Sequence, residues 1–305
     1  LELRNRPSAL PHLIDFARSA TEAKLGVAAL EATEKMATPD DLEQLLSIVS
    51  DAQHDAVRFA AVRTLKVIIK NAPDKSSFAA PIISSFRSTT EGKAREQLLQ
   101  ILGTAGGSRA AELISTHLNG SNMKLQLAAI AGLREWPDTG QFKTLSTFVE
   151  NEEQGMMAEL AKAQKARDQM KELAEAQEAR DQEHERSSLD ERKRKVDELS
   201  EQIRELQKKL TPRKQGFAAM IQFLTMGQDL NEDDLSRFWS DTATLALSES
   251  EQLRVVNAML TQKGEWALKI LDRFMQRGLT DRVTARAEDG KELLKKRLAD
   301  GSNDE

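Results

Sequence analysis

The sequence predicts an all-α protein, an α-solenoid of stacked helix pairs interrupted by one long antiparallel coiled-coil hairpin. Three observations carry that expectation. Alanine-rich segments of helical periodicity begin at Ala23, Ala56, Ala94 and Met123, and each is followed by a second amphipathic segment. Their starts lie 33, 38 and 29 residues apart, and two helices in such a period make an array in which each pair buries its apolar face against its neighbours. Residues 152–211 then hold 13 Lys/Arg and 16 Asp/Glu with no proline and no aromatic ring, a composition that cannot fill a core and reads as long solvated helix. Finally, no run alternates apolar and polar residues over a useful length, so no sheet is expected.

The elements follow in order. An unpaired amphipathic segment, Leu10 to Ala17, comes first. The pairs are then Ala23–Leu30 with Leu42–Val49, Ala56–Leu65 with Phe78–Phe86, Ala94–Leu102 with Ala110–Leu118, and Met123–Leu133 with Phe142–Val149. Thr38 before Pro39 reads as a cap followed by a first-turn proline, and Asp138 with Gln141 as a capping box after Trp136-Pro137. Gly103-Thr104-Ala105-Gly106-Gly107 lacks the preceding strand and following lysine of a phosphate loop, and reads as a helix terminator.

In the charged stretch, Leu189, Val196, Ile203 and Leu210 occupy one heptad position and Leu199 and Leu206 the other, which is a coiled-coil seam. The first half is weaker, with Met156, Ala163, Met170 and Gln177 at one position and Ala166 and Leu173 at the other. Ser188 and Glu191 have the spacing of a capping box that starts a new helix, so the chain is expected to turn near Ser187. Each arm of roughly 24 to 32 residues would be about 35 to 50 Å long. Small Ala163 and Ala166 facing Ile203 and Leu206 favour an intramolecular antiparallel pair, loosely filled at the tip around Leu189 and Val196. Asp190 with Arg194, Glu191 with Lys195 and Glu205 with Lys209 have (i, i+4) spacing, each pair contributing a few tenths of a kcal/mol. The basic run Arg192 to Lys195 has acidic neighbours on both sides and reads as a solvated face rather than a nucleic-acid patch.

Beyond it the helical pattern resumes. Thr211-Pro212 repeats the cap-and-proline start of a helix through Phe217 to Met226. Asn231 with Asp234 caps the next, Ser248 with Glu251 caps a third, and Trp266 to Met275 makes a fourth. A last, increasingly charged helix from Asp281 to Leu298 suits the end of an array, and residues from Gly301 to Glu305 read as a disordered tail. The expected divisions are therefore 1–151, 152–211, 212–300 and 301–305.

His54-Asp55-Ala56-Val57-Arg58-Phe59-Ala60-Ala61-Val62-Arg63-Thr64-Leu65 resembles the first helix of a HEAT repeat, with its acidic turn, Val-Arg and spaced alanines. Leu127 to Asp138, ending Gly132-Leu133-Arg134-Glu135-Trp136-Pro137-Asp138, is similar to HEAT arrays of large secreted and envelope proteins of planctomycete-like bacteria. The resemblance covers roughly residues 20–150 and, less clearly, 214–298. It implies a HEAT-like α-solenoid; the long hairpin departs from the ordinary repeat and gives no licence to copy a function.

Composition narrows the chemistry. The net charge of −5 divides as 0, −3 and −2 before, within and after residues 152–211, so no segment has the basic balance of a duplex-binding domain. The absence of cysteine excludes disulfides, thiolate metal sites and a cysteine nucleophile. No apolar run reaches the length of a membrane span. The chain starts at Leu1, as it would after loss of a leader or further domains. The histidines, His12, His54, His117 and His184, stand at no metal-ligand spacing within one helix. His184-Glu185 is a single pair where the di-iron chemistry of HEAT-like hydroxylases needs several. Trp136, Trp239 and Trp266 sit in the rhythm of the repeat core.

The leading expectation is a non-catalytic scaffold for protein partners, without cofactor, metal, nucleic acid or membrane insertion. Two surfaces are the candidates: the hairpin seam and tip, with Leu189, Val196, Leu199, Ile203 and Leu206, and the face of the second helices, with Glu43, Arg87, His117 and Lys143. The alternative is a structural subunit that oligomerises through the coiled coil. A HEAT-like lyase or glycosylase is a third reading, and a bare spacer remains open for the hairpin. The compartment is open, with the bacterial envelope favoured over the cytoplasm.

Overall fold

The structure, a computed structural model, describes residues 9–152, 156–178, 186–226, 230–262 and 264–301. Among these it contains sixteen α-helices, two short 3-10 turns and no strand. The first nine are α1 (Leu10–Ser19), α2 (Ala23–Thr33), α3 (Leu42–Asp51), α4 (Asp55–Asn71), α5 (Ala79–Ser88), α6 (Gly92–Ala105), α7 (Ser108–Leu118), α8 (Met123–Leu133) and α9 (Phe142–Asn151). Two charged helices follow, α10 (Met156–Glu178) and α11 (Arg186–Lys209). The chain ends with α12 (Thr211–Met226), α13 (Glu232–Thr244), α14 (Glu249–Met259), α15 (Glu265–Met275) and α16 (Asp281–Gly301).

The helices lie in two rows. In one, α2, α4, α6 and α8 pack side by side and the row continues through α12, α14 and α16. The other runs α1, α3, α5, α7, each packed on the next, and is extended where Phe142 of α9 meets Phe238 of α13 with ring centroids 4.5 Å apart. Alanine is what lets the first row close up. Ala60, Ala61, Ala128 and Ala129 are buried, and α6 crosses α8 where a Cβ added to Gly103 would stand 2.0 Å from the carbonyl oxygen of Gly132. Backbone therefore meets backbone at that crossing.

Polar ties fix the register between neighbours. Arg58, at the start of α4, is buried and donates to the carbonyls of Val49 (2.8 Å) and Ala52 (2.9 Å) and to Asp55 (2.8 Å). It thus satisfies the C-terminal end of α3 and places the next helix on it. Lys93 of α6 pairs with Asp55, and Arg63 reaches Glu31 of α2 and Glu34 just beyond its end, each at 3.1 Å.

Several local expectations hold in side-chain detail. Asn231 accepts from the Asp234 amide, Ser248 and Glu251 form a reciprocal capping box, and Thr38 and Asp41 form another before α3. α6 ends at Gly106 and Gly107, with φ of +69° and +86°, a region glycine enters without steric cost. Two cap assignments are corrected. Asp138 accepts from the Gly140 amide at 2.7 Å, and α9 starts one residue after Gln141 with no side-chain cap, because a glycine two residues on makes an Asx turn. Ser187 and Ser188 lie inside α11, which has already begun at Arg186. Residues 179–185, with His184 and Glu185, are outside the described residues, as is the tail 302–305.

One hydrophobic core runs through both rows, from Leu10 to Leu294, and crosses from α9 to α12, which pack directly on each other. None of the described side chains of α10 or α11 belongs to it. Those two helices share a separate cluster, Leu160, Ile203 and Leu210 with Ala163 and Leu206 against it. Because Leu160 meets Ile203 while Arg192 donates to the Leu173 carbonyl (3.3 Å), α10 and α11 run antiparallel.

Candidate functional site

Three surfaces warrant description: the α10–α11 arm, the face of the α3–α5–α7 row, and the junction where the arm meets the body.

Along the arm, three of the five expected seam residues are placed by the antiparallel pairing as core. Leu199 is 9% exposed and Ile203 4%, while Leu206 packs half-buried against the cluster of Leu160, Ile203 and Leu210. Val196 is half-buried, and the side chain of Leu189 is outside the described residues. These residues hold the two helices together and leave little free surface. Among the described residues of the pair, the exposed large apolar side chain is Leu173 on α10, 51% accessible; the sequence placed it on the seam, as the last large residue that its own helix offers before the tip. The ion pairs also differ from the heptad expectation. Lys195 pairs with Glu198 at 2.8 Å rather than with Glu191, and Arg204 pairs with Glu201.

On the second-helix row, Glu43, Arg87 and Lys143 are exposed and His117 is half-buried, on α3, α5, α9 and α7 respectively. The structure does not gather them into one site. Glu43 lies in a groove of about 450 Å³ between α3 and α5 with Asp51 and Glu91, and Arg87 lies in one of about 860 Å³ between α5 and α7 with Arg109 and Glu112. The face therefore turns from acidic to basic within two helices. Lys143 lines neither groove. His117 packs its ring on Phe86, centroids 5.0 Å apart, and Arg95 covers the same ring at 4.5 Å. Burial, and then the Arg95 charge, hold the His117 pKa below its ordinary value, so this histidine is a neutral packing group at pH 7.

The junction was not legible as a site. Leu210 alone separates α11 from α12, and three residues later Arg213 is buried against the body. Its guanidinium donates to Glu251 and to the Leu245 carbonyl (2.8 Å). The second oxygen of Glu251 accepts from the amides of Leu247 and Ser248, both at 3.2 Å. Beside this pair lies a cavity of about 400 Å³ walled by α10, α11, α12 and α14. The sequence showed the Ser248–Glu251 box; a capping glutamate whose other oxygen takes an arginine 38 residues away leaves no periodic trace.

Other polar clusters are structural in geometry. Glu135 bridges Lys66 (2.5 Å) and Lys70 (3.5 Å) and accepts from Thr104 (3.2 Å). Burial pushes its pKa up, but the lysines and Thr104 outweigh that and leave it lowered. His54 makes a 2.9 Å contact with the Thr21 carbonyl. Trp136, Trp239 and Trp266 are all buried. Among the described residues no group of three or more His, Asp or Glu side chains could hold a metal ion, and no helix is long and apolar enough to cross a membrane.

No protein-family model matches the chain, and no curated protein matches it.

Proposed function

We propose that the chain is a HEAT-like α-solenoid that serves as a non-catalytic scaffold for another protein, with α10–α11 as a coiled-coil recognition arm. The observation that carries the reading is the separation of the two apolar clusters. A 23-residue and a 24-residue helix share a cluster of their own, and none of their described side chains belongs to the core that runs past them. At 1.5 Å per residue each is about 35 Å long. Helices paired in this way are suited to presenting a surface. The repeat reading is supported by the two-row stacking and by Arg58, whose bonds to the preceding helix end give the Val-Arg of the motif a physical purpose.

The test is quantitative capture of partners by the intact chain beside one in which residues 153–208 are replaced by a short Gly/Ser link. Charge reversals on the row face, Arg87→Glu with Arg109→Glu, provide the third arm. A partner lost with the arm and kept by the reversals supports the proposal. A partner kept without the arm and lost with the reversals moves recognition to the α5–α7 groove.

A second reading is self-assembly through the arm, favoured by exposed Leu173 beside half-buried Val196. It requires a molar mass that rises with concentration in light scattering and returns to the monomer in Leu173→Asp with Val196→Asp. A constant monomer mass removes it.

A further inference from the structure

We infer that the cavity at the base of the arm binds a small apolar carboxylate, a short hydrocarbon body carrying one anionic head. The cavity, about 400 Å³, is in the range of small-ligand sites. Its walls come from two bodies. Leu160 and Gln164 of α10, Gln207 of α11 and Leu210 face it from the arm; Lys214 of α12 and Ser250 and Arg254 of α14 face it from the other side.

The charges decide the ligand's sign. Arg213 and Glu251 neutralise each other, and both oxygens of Glu251 are occupied, one by the guanidinium and one by two backbone amides. Glu251 therefore offers an incoming anion little repulsion. The side chains of Lys214 and Arg254 have no ion-pair or hydrogen-bond partner among the described residues, which leaves two positive charges at the rim. The amides of Gln164 and Gln207 and the Ser250 hydroxyl add uncharged donors to the same space. An anionic head would receive charge-assisted hydrogen bonds from the cations, and the cavity lining, most of which is apolar, would cover an apolar body. A bare phosphate fits worse, because it would leave that apolar lining uncovered. The inference stands apart from the scaffold reading, since a ligand here requires no protein partner.

Sodium octanoate titrated into the full chain by calorimetry, with 1-octanol and inorganic phosphate as controls, provides the test. Octanoate should bind saturably, one per chain, and octanol and phosphate at least about tenfold more weakly, the loss expected when either the charge-assisted bonds or the apolar contact is removed. Lys214→Gln with Arg254→Gln, both at exposed positions, should weaken octanoate by about tenfold or more. Gln207→Trp, which fills the cavity from an exposed position, should abolish binding. Absence of saturable octanoate binding overturns the assignment. So do phosphate binding as tightly as octanoate, and octanoate binding that all these variants leave unchanged.

Discussion

At the scale of single residues, the strongest commitment is the Arg213–Glu251 pair. Its side chains are 1% and 6% exposed, and removing one member of such a pair strands the other without water. Arg213→Ala should therefore lower the unfolding free energy by about 3–5 kcal/mol, while Arg213→Met with Glu251→Gln should cost far less, because no charge is left behind and an oxygen remains for the Leu247 and Ser248 amides. Chemical denaturation of the three chains checks both. His117 gives a pH signature. Its folded pKa lies below 6.5, so the unfolded chain takes up its proton first on acidification. The His117 contribution is fully present above about pH 6.5 and declines as pH falls through that value towards the folded pKa. His117→Phe, which keeps a ring on Phe86, should remove that decline from a plot of melting temperature against pH. The fall that Glu135 contributes as the pH drops below 4.5, the ordinary glutamate value from which its pKa is lowered, should remain.

At the scale of elements, the close crossing of α6 and α8 is decisive. Gly103→Ala would drive a methyl into the backbone at Gly132, so the two helices must separate and the helices packed on them must shift. A loss of about 3 kcal/mol or more is expected in thermal or denaturant unfolding. Gly92→Ala, with nothing within 4 Å of the added carbon, should be neutral or stabilising by up to about 1 kcal/mol. The helices themselves were readable from sequence because local chemistry announces them: Asn231–Asp234, Ser248–Glu251 and Gly106–Gly107 each act within four residues, and all three behave as their spacing suggests. Where a nearby group competed, the reading slipped, as when Gly140 took the Asp138 carboxylate from the start of α9. The candidate sites were less legible. Glu43, Arg87, His117 and Lys143 share a row, but helix rotation places them in different grooves or, for His117, against Phe86, and rotation depends on packing across the array. Of the residues expected on the seam, Ile203 and Leu206 lie in the cluster that α10 and α11 share, so their side chains are spent on packing rather than on display.

At the scale of the molecule, the helices before and after α10–α11 share one core. Val149 of α9 and Gly216 of α12 lie close together, a Cβ on the glycine standing 3.1 Å from the valine methyl, so α9 packs directly on α12. The periodicity of the apolar residues announced helices throughout, and the structure is helical with no strand among the described residues. The sequence reading expected one array interrupted by residues 152–211; the particular contact of α9 with α12 left no local trace, because the two are joined only in space. The most direct measurement is the thermal unfolding of the chain with residues 153–208 replaced by a short Gly/Ser link, followed by calorimetry beside the intact protein. One cooperative transition at a melting temperature within about 5 °C of the intact body, the shift that roughly 1 kcal/mol produces, is the expected result. Two separate transitions, or a chain that no longer folds, would mean that the arm holds the halves together and that the body is not one array.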